Sequence, residues 1–289
     1  MSQIEVKNLV YTYGKGTPFV NHAVNNVSFK AEGGEIIGVI GHTGSGKSTV
    51  VQHLNGLLKP ESGEILLNGK NIWTEYEKIS DIRFKVGLVF QYPEYQLFEE
   101  TVEADIAFGP KNMGLSDEEI KQRVEYAANL VDIEPDLMQK SPFDLSGGQK
   151  RRVAIAGIIA MQPEVLVLDE PTAGLDPQGR DLILERIDEY RKQQNAVVLI
   201  VSHSMEDMAK VADKLLVMNK GKVEMFDTVS RVFSNAERLA EIGLDIPEIT
   251  RVAIELNKKG FNIPKNLFTV DAVFDSIMGL YGEVASDDQ

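Results

Sequence analysis

The sequence predicts an α/β fold built on a parallel β-sheet, and three observations carry the prediction. Apolar, β-rich runs recur at residues 36–40, 86–90, 165–168 and 197–201. Each is near-continuously apolar rather than alternating, which suits strands buried on both faces of a parallel sheet. Helical patterns lie between the runs, and strands that alternate with helices belong to the α/β class.

In chain order, the strand at 36–40 leads directly into Gly41-His42-Thr43-Gly44-Ser45-Gly46-Lys47-Ser48. A helix comes next, in which Val50, Val51, Leu54, Leu57 and Leu58 share one face and which Pro60 ends. After the strand at 86–90, residues 93–160 read almost wholly helical, a helical insertion between core strands. Within it Ser116-Asp117-Glu118-Glu119 is a helix start, ahead of a stripe at Ile120, Val124, Ala127 and Val131. A later helix opens at Ser146 and is apolar at Val153, Ala156, Ile159 and Ala160. Past the strands at 165–168 and 197–201, two shorter ones at 214–218 and 223–226 flank the turn Asn219-Lys220-Gly221. Beyond Asp227 come helices and loops broken by Pro247, Gly260 and Pro264. The expected division is a main domain over residues 1–228 and a small C-terminal domain over 229–289.

A chain of 289 residues, 43% hydrophobic, can bury a full core. Its longest apolar run, residues 153–161, falls far short of the roughly 20 residues that span a bilayer, so no transmembrane helix is expected. The N-terminus lacks the basic region and apolar core of a signal peptide. With no cysteine there is no disulfide framework and no thiolate metal site, which fits the cytosol. Thirty Lys and Arg against 44 Asp and Glu leave a net charge of −14. A chain this acidic repels nucleic acid, and its densest basic cluster is only Lys150-Arg151-Arg152. A basic partner surface fits it better.

The octet from Gly41 to Ser48 matches G-x-x-x-x-G-K-[ST], and it stands between a strand and a helix as that motif requires. Gly41, Gly44 and Gly46 let the backbone wrap phosphates, and the amides supply donors. Lys47 reaches the terminal phosphates and the Ser48 hydroxyl ligates Mg²⁺. The strand at 165–168 ends in Asp169-Glu170-Pro171. There Asp169 is the metal-side candidate and Glu170 the general base that polarises an attacking water. Gln91 and His203 also come directly after strands and emerge at the carboxyl edge of the sheet, where open α/β folds bind ligands. Gln91 is a candidate for the metal or the lytic water, and His203 for the γ-phosphate.

A second glycine-rich segment, Leu145-Ser146-Gly147-Gly148-Gln149, opens another helix. Ser146 is a plausible N-cap and the two glycines expose amides, so this too is an anion-seeking helix start. Arg151 and Arg152 in its first turns oppose the macrodipole by about 0.3–1 kcal/mol each, a penalty that a bound anion removes. In isolation a surface arginine pair is the plainer reading. One phosphate loop holds one nucleotide, so this second anion-seeking helix is a surplus.

The phosphate loop, Gln91, Leu145–Gln149, residues 165–170, Gly174-Leu175-Asp176 and His203 resemble, in order and spacing, the motifs of ATP-binding cassette (ABC) ATPases. The resemblance runs from residue 4 to about 228. It implies a P-loop NTPase fold of the ABC nucleotide-binding type, with the helical subdomain at 93–160. It also implies a head-to-tail dimer sandwiching two ATP molecules, in which Leu145, Ser146, Gly147, Gly148 and Gln149 form the signature motif acting on ATP held by the second subunit. Asp176 would communicate across the dimer. His42, Thr43, Ser45 and Thr49 would join the loop glycines, Lys47 and Ser48 in holding ATP, with Mg²⁺ carried by Ser48, Gln91 and Asp169. Tyr13 would match the aromatic that stacks on adenine, with Tyr11 as its rival. Ser204 stands where many members have aspartate after the histidine.

A narrower resemblance lies in Phe90-Gln91-Tyr92-Pro93-Glu94-Tyr95-Gln96-Leu97-Phe98, Thr101-Val102, Phe108-Gly109-Pro110 and Arg152-Val153-Ala154-Ile155-Ala156-Gly157. These resemble the cobalt-type ATPases of energy-coupling factor transporters. That resemblance implies an ATP-hydrolysing subunit on the cytoplasmic face of the membrane, paired with an identical or paralogous ATPase. A shared transmembrane coupling subunit and a separate membrane protein that captures a vitamin or transition-metal ion complete the assembly. Basic coupling helices would dock near the segment after Gln91, where Glu94, Glu99, Glu100, Glu103 and Asp105 make the surface acidic. The alternatives are the ATPase of another ABC importer class or a cassette ATPase acting on nucleic acid or ribosomes. The apolar tail residues Val252, Ile254, Leu267, Phe268, Val273, Phe274, Ile277 and Met278 are expected to pack on the main domain or reinforce the dimer.

Overall fold

Ahead of the first predicted strand the chain forms two long ones, β1 (Ile4–Tyr13) and β2 (Asn21–Ala31), paired antiparallel. The structure, a computed structural model, describes residues 3–264 and 267–287. β1 and β2 bury alternate residues such as Ile4, Val6, Val27 and Phe29, as half-buried strands do. The predicted strand β3 (Ile36–Ile40) is succeeded by the phosphate loop and α1 (Lys47–Leu54). Two further strands, β4 (Ser62–Leu67) and β5 (Lys70–Asn71), complete a four-stranded antiparallel sheet of order β2-β1-β4-β5. Sequence patterning predicted neither this sheet nor its edge strands.

α1 stops at Leu54, short of the face expected to run to Leu58. Asn55 caps it, Gly56 takes φ +69°, and the Leu57 amide donates back to the Gln52 carbonyl at 3.0 Å, a glycine-terminated helix end. After α2 (Ile79–Lys85) and β6 (Val86–Val89), the insertion is helical as expected: α3 (Val102–Asn112), α4 (Asp117–Leu130) and α5 (Gly147–Ile159), with a 3₁₀ turn at Pro93–Gln96 ahead of α3 and two more, Pro135–Leu137 and Pro142–Asp144, between α4 and α5. Ser116 and Glu119 close the anticipated capping box on α4.

Then come β7 (Val165–Asp169), α6 (Pro177–Gln194), β8 (Val197–Val201), α7 (Met205–Val211), β9 (Lys214–Asn219) and β10 (Lys222–Thr228). The main sheet has the order β10-β9-β3-β8-β7-β6, parallel except for the edge strand β10. Both its faces are covered, which is why its strands read as continuous apolar runs. Ile37 and Val39 face α1 and the antiparallel sheet, whereas Ile36 and Ile40 belong to the opposite core under the helical insertion.

The tail comprises α8 (Val229–Phe233), α9 (Ala236–Glu241), α10 (Glu248–Lys258) and α11 (Val270–Asp287). Val232, Phe233, Leu239, Leu244 and Ile246 pack into the main core. Ala253, Ile263 and Val273 form a separate small core with Leu267 and Ile277 against it, while Ile254 and Phe268 lean on the main core. Val252, Phe274 and Met278 stay exposed.

Candidate active site

The strand order β3-β8-β7-β6 sets the phosphate loop, His203, the Asp169–Glu170 pair and Gln91 in line along one sheet edge. That edge is the carboxyl end, where ligands of open α/β sheets bind. At the loop, Gly46 takes φ +102°, and a Cβ there would lie 2.4 Å from the Ala23 carbonyl of β2. Only glycine tolerates both conditions. α1 begins with no side-chain cap, so its first amides remain free donors. Lys47 is buried, its ammonium donating to the carbonyls of Gly41 at 2.7 Å and His42 at 3.2 Å. Burial pulls its pKa below the ordinary lysine value, opposed by the charges of Glu170 and Asp169.

The remaining loop residues divide by exposure. A ring nitrogen of His42 bonds the Thr43 carbonyl at 2.7 Å, Thr43 and Gly44 are exposed, and Ser45 is buried with its hydroxyl oxygen unpartnered. Tyr13 lines a cleft of about 150 Å³ with Gly44, Lys47, Ser48 and Thr49, its hydroxyl 3.4 Å from that of Thr49. Tyr11 turns inward, edge-on to the buried His53 at 4.7 Å. Of the two tyrosines the sequence left open, Tyr13 therefore faces the loop. Asn21 and Ala23 of β2 complete the cleft wall, a contribution invisible without the antiparallel sheet.

Burial pushes the Asp169 pKa upward, and the neighbouring Ser48 hydroxyl opposes that rise. A hydroxyl and a carboxylate beside a phosphate loop are the hard oxygen donors that Mg²⁺ takes together with nucleotide phosphates. Among the described residues no three His, Cys, Asp or Glu side chains gather into a self-sufficient metal nest. Glu170 is 9% exposed and its φ is +54°, a strained setting for a bulky residue. Burial, reinforced by the charge of Asp169, raises its pKa to about 7. Its Oε1 is buried without a hydrogen-bond partner, although His203 Nε2 stands 3.3 Å away. Burial and the nearby Lys47 lower the His203 pKa, which favours the neutral imidazole. A carboxylate that titrates near neutrality, with one oxygen free, is matched to taking a proton from water.

That match predicts a pH dependence. Below its pKa Glu170 is protonated and useless as a base, so kcat/KM for ATP should rise with pH through about 7. The linkage to stability has the opposite sign. A pKa raised from 4.5 to about 7 contributes stability that is full below 4.5 and lost as pH rises through 7. An initial-rate profile that is flat across neutrality would remove Glu170 from the base's place.

Other candidates lie apart. Gln91 is exposed past the end of β6, with no side-chain hydrogen bond among the described residues. Asp176 is the N-cap of α6, its carboxylate accepting from the Gly179 amide at 2.7 Å. Ser204 caps α7 in the same way, accepting from the Asp207 amide at 3.1 Å. Ser146 caps α5 in a reciprocal box with Gln149, as its position predicted. Leu145 is buried, but Ser146, Gly147 and Gly148 are exposed, and no hydrogen bond among the described residues ties them to the phosphate loop. A Cβ on Gly147 or Gly148 would meet nothing within 4 Å. The chain's own packing does not require these glycines.

Two expectations about charge need correction. Arg151 is not half of a surface pair: it is 4% exposed and forms a bidentate bridge with Glu94. The acidic stretch after Gln91 is thinner than its sequence suggests, because Glu94 is engaged there. Asp105 is also buried, accepting from the amides of Phe98 and Glu99. Sequence reasoning missed the larger feature nearby, an apolar groove of about 590 Å³ between α2, α3 and α5, walled by Phe84, Phe90, Leu97, Phe98 and Phe108.

A family model described as ABC transporter matches residues 24–173. The energy-coupling factor transporter ATP-binding protein EcfA2 of Caldanaerobacter subterraneus subsp. tengcongensis is 54% identical, covering 95% of this chain and 96% of its own length. EcfA2 of Clostridium tetani is 52% identical, with 98% and 99% covered. Among solved structures, cbiO1 from Clostridium perfringens, part of the ABC transporter complex cbiONQ, matches with a TM-score of 0.75 at 37% identity, covering 89% of this chain and 99% of that one. The dimeric post-hydrolysis state of the ATP-binding cassette MJ0796 bound to ADP and Pi matches with a TM-score of 0.70 at 26% identity, over 78% of this chain and 98% of that one.

Proposed function

The chain belongs to the ABC transporter family, among the energy-coupling factor transporter ATP-binding proteins, and from that membership we propose how its residues drive import of a vitamin or transition-metal ion. It is an ATPase coupled to transport. Among the described residues no helix is long and apolar enough to cross a membrane, and in this reading other chains supply the translocation pathway. The observation that carries the mechanism is the free, buried oxygen of Glu170 beside His203 and the phosphate loop.

In this reading the loop amides and Lys47 hold the ATP phosphates, and Tyr13 stacks on the adenine. Ser48, Asp169 and Gln91 would hold Mg²⁺, whose charge would offset that of the phosphates. Glu170 takes a proton from the water that attacks the γ-phosphate, and His203 donates a hydrogen bond to that phosphate. The exposed segment from Ser146 to Gly148 completes the site of a second cassette, identical or paralogous. The dimeric structure of MJ0796 bound to ADP and Pi supports that arrangement. The exposed residues Val252, Phe274 and Met278 support a role for the tail in reinforcing the pair. The apolar groove seats a helix of the transmembrane coupling subunit, with Glu99, Glu100 and Glu103 at hand for basic residues. The chain then works as a peripheral protein on the cytoplasmic face.

Affinity capture of the full chain from native membranes in mild detergent is expected to return a second cassette ATPase and a multispanning membrane protein. Truncation after Ile246 is expected to weaken the ATP-free pairing. Recovery with ribosomes and without a membrane chain would overturn the transport reading.

A further inference from the structure

Arg151 is a buried charge for which the reaction described above has no use. It stands in the first turns of α5, two residues past the signature segment. Its guanidinium spends four hydrogen bonds on two other segments. Nε and Nη2 donate to the two carboxylate oxygens of Glu94, at 3.2 and 2.9 Å. Nη1 donates to the carbonyls of Pro171 at 3.3 Å and Ala173 at 2.5 Å.

Both ends of this fork matter. Pro171 and Ala173 belong to the turn that carries Glu170 at φ +54°, and the Ala173 amide donates to the Glu170 carbonyl at 3.2 Å. A strained setting persists only when its surroundings over-determine it. Here the Thr172 hydroxyl ties the turn to Asp207 at 3.0 Å from one side, and Arg151 ties it from the other. Glu94 lies three residues past Gln91, in the 3₁₀ turn Pro93–Gln96 that leads into the groove wall at Leu97 and Phe98. One planar fork thus joins the groove, the signature helix and the turn that presents the base.

We propose that Arg151 is a positioning residue for hydrolysis: it holds the Glu170 turn in register with the groove segment, so that a helix seated in the groove sets the geometry of the base. The proposal rests on the reading of Glu170 as the base and of the groove as a docking site. A guanidinium is needed because a lysine ammonium is a point donor that cannot serve a carboxylate and two carbonyls at once. Displacing a reacting group by about 1 Å costs on the order of 10²-fold in rate.

The test uses the full chain assembled with its membrane and ATPase partners. Wild type, Glu170→Gln, Arg151→Lys and Glu94→Gln are compared for kcat, KM for ATP and melting temperature. Arg151→Lys keeps a buried cation beside Glu94, so the carboxylate is not left as an unpaired buried charge. It is expected to lower kcat by about tenfold or more while KM and melting temperature hold. Glu94→Gln should lower kcat in the same way, and the two effects should not add. A lysine variant with wild-type kcat overturns the inference, and so does a loss in which KM and melting temperature move with kcat, because that is a merely structural role. If Glu170→Gln hydrolyses ATP normally, the underlying reading of the base falls first.

Discussion

Glutamine in place of Glu170 is expected to stop steady-state hydrolysis while ATP binding persists. The substitution preserves shape, so the left-handed turn at φ +54° and its bonds to the Val201 and Ala173 backbone need not move. The loss is confined to the carboxylate whose buried oxygen has no partner and whose pKa is raised to about 7. A positioned general base contributes on the order of 10²–10⁴-fold, so kcat should fall by at least about 10²-fold. Lys47 and the uncapped start of α1, the proposed phosphate ligands, are untouched. Removing a negative charge beside the γ-phosphate also weakens electrostatic repulsion in the closed pair. The variant should therefore accumulate as an ATP-bound dimer, seen as an ATP-dependent shift in size-exclusion chromatography. Turnover near the wild-type rate would assign the base elsewhere.

Much of this site could be read from sequence because its parts sit at strand ends. Residues 36–40, 165–168 and 197–201 announce buried parallel strands by unbroken apolarity, and the residues just past such strands emerge at one edge. Gly46 needs its conformation locally, so its pattern is visible locally. The antiparallel sheet was less legible. β1 and β2 carry polar residues on alternate positions and irregular register, so no continuous run marks them. Without them the wall that Asn21 and Ala23 add to the cleft was hidden too. Arg151 was misjudged for a related reason. A cation near the start of a helix is unfavourable by itself, and only the fold brings Glu94 and two carbonyls to it from distant segments. The extent of α1 failed on a smaller point: Gly56, not Pro60, ends the helix, and the apolar Leu57 and Leu58 beyond it imitated another turn.

Aspartate at Gly148 should separate the two anion-seeking helix starts. Gly148 is exposed, its φ is not left-handed, and a Cβ there would meet nothing within 4 Å. An acidic residue in a first turn favours the helix dipole, by about 0.3–1 kcal/mol. Gly148→Asp should thus fold with unchanged or slightly higher melting temperature, and its own phosphate loop should bind ATP as before. Yet the same residue places a fixed negative charge where the amides of α5 would meet a neighbour's γ-phosphate. Loss of one such donor costs on the order of 10²–10³-fold, and a repelling carboxylate adds to that. Hydrolysis by the assembled pair should therefore fall by about 10²-fold or more at undiminished ATP binding. If ATP affinity of the isolated variant fell together with turnover, the glycines would belong to the chain's own site. A Lys47→Ala variant provides the contrast, since the cation proposed to reach the phosphates lies in the chain's own loop, beside the Gly41 carbonyl, and its removal is expected to weaken ATP binding directly. Because Gly148 is exposed and, among the described residues, not hydrogen-bonded to the chain's own loop, stability kept, binding kept and turnover lost is the combination expected of a site completed in trans.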